Sequence, residues 1–422
     1  MSAEKKHQYF FMLGHVVLLL GLLCSKALIS IGSVFIIGSA VWQIVLNPGL
    51  IASPPKPIVG FLMLFFIPFL SFFWSENMHD WLEVVLNKVM LPALAWSYWL
   101  APKLDKREYF WLSVTNIGLV LAGTVYSIGH YLFSADYVNE SYLRAKTLKV
   151  MYLNDHLHFS LWIIITLGLM LYDWQVLISY WRKYSKFVFG AIALWFMLFL
   201  HVLGAKTGLI LLYAGLFYLF FQKGIGKISS FYKIMILPLT LGLLFLSYIF
   251  IPTFKNRLHY TLYDFNQYAQ GSFINGLTDG ARVLSWKAGA EIAHTHPILG
   301  VGFGDLHDVF DDWHETHSAH LETYNWLQPS NEWLMYWCGS GWLGMILLSI
   351  GLWWIYRYSG MKDDRVFAYL FLAQVLMMWY EVNLSNQMGI TLFVFSWGWL
   401  QLGNRAKLFE SDNIGESMPR IG

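Results

Sequence analysis

Charged residues are scarce in this sequence, 13% of 422 positions, against about 25% in ordinary soluble domains. A soluble chain of this length could bury a core but would still need a charged surface, so the deficit excludes a soluble globular reading. The formal net charge is only +2, which argues against nucleic acid as a partner. Cysteine is rarer still, with Cys24 and Cys338 alone. Both lie inside apolar runs, where a thiol is a small packing residue, and no disulfide framework is available. Internal repeats and low-complexity tracts are absent. What the sequence has in abundance is apolar surface, 57% of residues, and aromatics, with 21 Trp, 24 Tyr and 32 Phe. Aromatic rings of this kind favour the headgroup level of a membrane.

A spanning helix needs roughly 20 mostly apolar residues. Twelve segments qualify, near residues 9–25, 28–46, 58–74, 82–100, 109–133, 157–178, 187–204, 207–222, 232–252, 332–356, 366–382 and 388–403. The fold class expected is therefore an all-α membrane protein of about twelve transmembrane helices. The first segment follows Lys5 and Lys6 and leads into many others, so it reads as a span rather than a cleaved signal. The fourth carries Glu83, Asn87 and Lys88 in its first turns and is expected to start at the interface. Basic loops recur at Lys5/Lys6, Lys56, Lys103/Lys106/Arg107, Arg182/Lys183/Lys186, Lys223/Lys227, Arg357/Lys362/Arg365 and Arg405/Lys407. With twelve spans all of these fall on one side, which the positive-inside rule makes cytoplasmic.

Four regions follow. Residues 1–253 carry helices one to nine, 254–330 form a large loop on the far side, 331–404 carry the last three helices, and 405–422 are a cytoplasmic tail, expected to lack regular structure after Phe409. The large loop holds seven of the fourteen histidines, and nine acidic against four basic residues, so it is no polybasic membrane patch. A smaller loop covers about 134–155. Within the large loop, apolar positions at Val283, Leu284, Trp286, Ala290 and Ile292 predict a short helix over 281–294 on the membrane surface, ended by Pro297. Gly300, Gly302 and Gly304 follow, and permit either a tight connector or close approach to a ligand. Ser330 reads as the N-cap of the tenth span, whose amides could also hold an anion. Lys206 stands between the seventh and eighth spans, as a snorkelling anchor or a site group.

Taken together, Arg282-x-x-x-Trp286, then Pro297-Ile-Leu-Gly300-Val-Gly302-Phe-Gly304, then Asn331-Glu332-Trp333-Leu334 before a glycine-bearing span, resemble the O-antigen ligase and polymerase family. These are polytopic glycosyltransferases of bacterial surface polysaccharides. The resemblance covers about 280–345 with weaker support at 200–210. It implies an inverting transfer of a glycan from a polyprenyl-diphosphate carrier, such as undecaprenyl diphosphate, to an acceptor hydroxyl, on the periplasmic face of the inner membrane. The acceptor would be the lipid A core in an O-antigen ligase of lipopolysaccharide biosynthesis, or another repeat unit in a polymerase. No cofactor or metal is called for, and the partners are the carrier-linked glycan, the acceptor and membrane lipids. Arg282 matches the family's loop arginine, and Lys206 a position usually held by arginine. Fixed cations there would offset charge developing on the diphosphate leaving group, with Ser330 and Asn331 helping from the helix start.

One residue departs from the pattern. Family ligases usually carry histidine just before the Asn-Glu pair, proposed to deprotonate the acceptor. Ser330 stands here, and serine is a poor base at its normal pKa. Asp305, directly after the glycines, is the first replacement expected, and His320 the second; Glu332 is a third. Two other function classes stay open. A lipid-linked glycan transporter would want charges within the bilayer, and Glu381, near the outer end of the eleventh span, is the main one. A metal enzyme would draw on His314, Glu315, His317 and His320 beside Asp311 and Asp312, although the zinc-protease spacing is missing.

Overall fold

A computed structural model describes residues 2–416 except 52–54, 145, 152, 154, 181–183, 222–229 and 272–273. The basic residues Arg182, Lys183, Lys223 and Lys227 therefore lie outside the described residues. Among those described there is no strand. The first helices are α1 (Ala3–Cys24), α2 (Lys26–Leu46), α3 (Lys56–Leu70), α4 (Met78–Lys88), α5 (Met90–Trp99) and α6 (Lys106–Phe133). Next come α7 (Ala135–Tyr142), α8 (His156–Tyr172), α9 (Trp174–Tyr180), α10 (Ser185–Leu203), α11 (Lys206–Phe221) and α12 (Ser230–Phe250). The last are α13 (Pro252–Ala269), α14 (Asp279–Thr295), α15 (Leu306–His317), α16 (Glu332–Tyr358), α17 (Arg365–Met378) and α18 (Gln387–Glu416).

Each of the twelve apolar segments coincides with helix. Among the described residues six helices are long and apolar enough to cross a membrane: α1, α2, α3 with the turn that follows it, α6, α10 and α16. Shorter apolar stretches lie in α8, α11, α12 and α17. The chain is thus a helical, membrane-integral protein. The segment at 82–100 is two helices rather than one. Pro92 has no N–H to give and its ring crowds the carbonyl four residues back, at Lys88, which is where α4 stops and α5 begins. The C-terminal stretch corrects another expectation, because α18 runs on past Phe409 to Glu416.

Buried polar groups tie the apolar helices together. The Asp173 carboxylate, 1% exposed, accepts from Tyr109 Oη at 2.8 Å, Ser113 Oγ at 3.3 Å and Trp399 Nε1 at 3.0 Å, joining α6, the α8–α9 turn and α18. Lys88 and Glu332, 1% and 0% exposed, lie 3.6 Å apart. Lys88 Nζ also donates to the Leu384 carbonyl at 2.9 Å, and Glu332 Oε2 accepts from Leu384 N–H at 2.8 Å. Paired in this way, two buried charges lock the start of α16 to the segment after α17.

The described parts of residues 134–155 and 254–330 fold against each other. Tyr142 of α7 donates to Leu203 O at 2.7 Å and accepts from Leu148 N–H at 2.9 Å, and Asn256 of α13 donates to Asn139 O at 2.8 Å. Helix α14 covers the span expected for the surface helix. Its buried face carries Leu284 and Ile292 of the expected apolar positions together with the small residues Ala281, Ser285, Ala288 and Gly289. Gly289 brings it onto α16: a Cβ there would meet Leu334 and Pro329 side chains at 2.8 Å.

Candidate active site

The candidate site is built where the starts of α11 and α14 meet the end of α17. Helix α10 ends at Gly204 in the left-handed region, φ 60°, which turns the chain so that Lys206 opens α11. The start of α14 is set from α13. The Asp264 carboxylate accepts from Thr278 N–H (2.9 Å) and Oγ1 (3.3 Å), Asp279 N–H (2.8 Å) and Gly280 N–H (3.0 Å), satisfying helix-start amides that otherwise lack partners. Asp279 and Arg282, three residues apart, share one helix face.

On that face Asp279 pairs with Lys206 and accepts from Tyr380 Oη at 3.1 Å. Arg282 donates to Tyr380 Oη at 3.1 Å and to Glu381 Oε2 at 2.9 Å, with its guanidinium 4.5 Å from the Tyr380 ring centre. The chain of contacts runs Lys206–Asp279–Tyr380–Arg282–Glu381. All four charged side chains are partly buried, 15–28% exposed. Burial works to raise the Asp279 carboxyl, but Lys206 and Tyr380 outweigh it and hold it below the usual carboxylate range. Burial also pushes the Tyr380 hydroxyl up to about 12.

The loop bearing Tyr380 and Glu381 is held against the start of α16. Asn331 Nδ2 donates to Trp379 O at 3.1 Å, and the Trp333 and Trp379 rings stack at 4.8 Å. Further along the loop, Asn386 Oδ1 accepts from Gly389 N–H at 2.7 Å, so its Nδ2 faces His158 Nε2 at 3.2 Å. The other ring nitrogen of His158 lies 2.7 Å from Asp155 Oδ2. A second polar pair therefore sits on the same loop.

The expected residues divide into two groups. Lys206 and Arg282 are brought together. Asp305 is not with them: its carboxylate accepts from Glu76 N–H at 3.0 Å and Asn77 N–H at 2.7 Å, at the start of α4. His320 is exposed, in the turn after α15. The N-cap of α16 is Asn331, whose side chain accepts from Leu334 N–H at 3.0 Å, and not Ser330. Ser330 is buried against α14, its N–H 3.3 Å from Ser285 Oγ and its carbonyl accepting from Trp286 Nε1 at 3.1 Å. Glu332 is spent on Lys88. His314 is a core residue, 0% exposed, within 2.8 Å of Ser318 Oγ and stacked on Trp326.

Gly300, Gly302 and Gly304 approach protein backbone. Val301 and Gly302 N–H donate to the carbonyls of Cys338 (2.8 Å) and Gly339 (3.1 Å), and Trp342 N–H donates to Pro297 O at 2.8 Å. Helix α16 is broken there, with Ser340 at φ −146° and Gly341 at φ 65°, and the glycine strip fills the break. Gly300 and Gly302 have φ 67° and 100°, a region that side chains rarely enter.

Sequence reasoning missed Asp279, Tyr380 and Arg257, and took Glu381 for a span-end charge. The polar triplet Trp379-Tyr380-Glu381 closing an apolar run was the available signal. For Asp279 it was the Thr-Asp-Gly helix start. No curated protein matches the chain. Residues 192–349 match a family model described as O-antigen ligase. Lys206, Arg282, the glycine strip and the Asn331-Glu332 pair all fall inside that stretch, over which the chain is similar to the O-antigen ligase family.

Proposed function

We propose that the protein is an O-antigen ligase, an inverting glycosyltransferase that moves a glycan from a polyprenyl-diphosphate carrier to a hydroxyl of the lipid A core. In this reading it sits in the inner membrane with twelve spans, and residues 254–330 face the periplasm. The observation that carries the reading is the meeting of Lys206 and Arg282, distant in sequence, around Tyr380. Each cation is neutralised by one carboxylate, Asp279 or Glu381. A diphosphate offers more negative charge than either and can take both cations from them. Lysine acts as a point charge, while Arg282 offers a planar fork.

The acceptor oxygen attacks the anomeric carbon as the bond from that carbon to the diphosphate oxygen breaks. The departing diphosphate gains negative charge, which Lys206 and Arg282 offset. The acceptor proton needs a base. Asp305 is tied to backbone amides, so we place the role on Glu381. The loop carrying it is pinned to the start of α16 by Asn331 and Glu332, next to Ser330, where the family's histidine would stand. Arg282 holds the Glu381 carboxylate in the resting state. Once the diphosphate takes Arg282, the Glu381 carboxylate loses its ion-pair partner and is released toward the acceptor hydroxyl.

The test is the cell-surface polysaccharide of a deletion strain, complemented with parent, Lys206→Ala or Arg282→Ala. Expected on deletion is loss of long chains from the lipid A core, with carrier-linked polymer accumulating. The parent should restore the chains and both variants should fail. Single-repeat capping of the core would reassign the protein as a polymerase. An unchanged glycan profile on deletion would remove the glycan-transfer reading.

A further inference from the structure

Arg257 of α13 is 7% exposed, yet its Nε and Nη1 are buried without a hydrogen-bond partner among the described residues. It forms no ion pair among them either. A guanidinium left in that condition is costly, and such groups call for an explanation. Its position is well defined. Thr253 Oγ1, one turn earlier, donates to Val202 O at 2.7 Å, and Asn256 holds Asn139 on the other side. The Arg257 stem runs past Gly204, where an ideal Cβ would lie 3.6 Å from Arg257 Cβ, two residues before Lys206. Its head lies 5.7 Å from the Tyr260 ring centre. Its charge is felt at Lys206, Asp279 and Tyr380, so it faces the same cluster.

The neighbouring carboxylates are already committed. Asp264 accepts four hydrogen bonds from the start of α14, and Asp279 is held by Lys206 and Tyr380. Three cations from three helices thus surround one spot, and one of them is unpaired. We propose that Arg257 is a third ligand of the carrier diphosphate, binding one phosphoryl group while Lys206 and Arg282 bind the other; the assignment rests on the reading of this site as one for a lipid-linked diphosphate. A two-phosphoryl ligand accounts for a donor fork that none of the described residues uses.

The experiment uses the full chain in lipid nanodiscs, with sugar-free polyprenyl diphosphate and polyprenyl monophosphate as probes. In Arg257→Met, diphosphate binding should weaken on the order of tenfold or more, the loss of one charge-assisted contact, with monophosphate binding little changed. The preference for diphosphate then falls. The ligand-free melting temperature should hold or rise, because an unpaired buried charge has been replaced by an apolar chain. A purely structural arginine would do the reverse: melting would drop and the preference would stay. That result, or parental diphosphate binding by Arg257→Met, overturns the assignment. Should Arg257→Met not fold, Arg257→Gln reads the same preference. A parent that shows no preference for the diphosphate, or an Arg282→Ala variant that binds it as the parent does, would instead bring down the reading of the site.

Discussion

At the scale of single residues, the chemistry depends on which acidic side chains are free to exchange partners. Asp305 and Glu381 are both carboxylates near the outer surface, but they are held differently. Asp305 takes backbone amides of Glu76 and Asn77, which cannot leave without undoing the start of α4. Glu381 takes Arg282, which a stronger anion can draw away. Glu381→Gln should therefore lower transfer by about 10²–10⁴-fold, the usual contribution of a general base, while carrier binding is kept. Asp305→Asn should leave turnover near parental and cost about 0.5–2 kcal/mol of stability, as losing a helix cap does. Single-turnover transfer and thermal melting of the two variants separate these outcomes; the opposite pattern would return the base to Asp305. Ser330 and Asn331 were read as anion ligands because helix starts attract anions. The Ser330 backbone instead meets Ser285 and Trp286, and the Asn331 side chain meets Leu334 and Trp379, which only packing could reveal.

Among the elements, the breaks matter more than the spans. Apolar length located the helices, and Pro92 divides α4 from α5 by a rule visible in sequence. The break in α16 was not visible. Gly339, Ser340 and Gly341 read as small residues in a span. What opens the helix is the strip at 297–302, whose backbone pairs with the exposed carbonyls of Cys338 and Gly339. Gly300 is a position with no room for a side chain. Its φ is 67°, and an added Cβ would overlap the Cys338 carbonyl and Ser340 nitrogen. Gly300→Ala should destabilise the protein by about 1–3 kcal/mol, the cost of a strained backbone residue, seen as a lower melting temperature. Gly276, also at positive φ but with open space around it, is the control and should lose less. Equal losses at both would mean that φ alone, not the contact with α16, sets the cost.

For the whole molecule, sidedness decides whether the site can meet a periplasmic acceptor. In the proposed topology, drawn from the alternation of basic loops, residues 254–330 lie on the side away from the cytoplasm. Asn275 lies on that loop and is exposed. Cys24 is exposed and Cys338 buried, so a Cys24→Ala background leaves a single buried thiol. Cysteine introduced at Asn275 in that background should react with an impermeant thiol reagent in intact spheroplasts. Labelling seen only after lysis would invert the topology and separate the site from its acceptor.

The sequence alone determined the membrane class and the positions of the apolar helices, and it singled out Lys206 and Arg282, because these follow from apolar length, charge spacing and a motif that is local in the chain. It could not reveal which groups meet. Tyr380 and Glu381 reach Arg282, Asp279 reaches Lys206, and Arg257 stands unpaired beside them only once α11, α13, α14 and the end of α17 converge. A buried polar atom takes whatever partner packing puts within about 3 Å, and that partner can come from anywhere in the chain. For the same reason Asp305, well placed by its position after the glycines, proved to be a cap for α4: only the tertiary structure decided whose amides it would face.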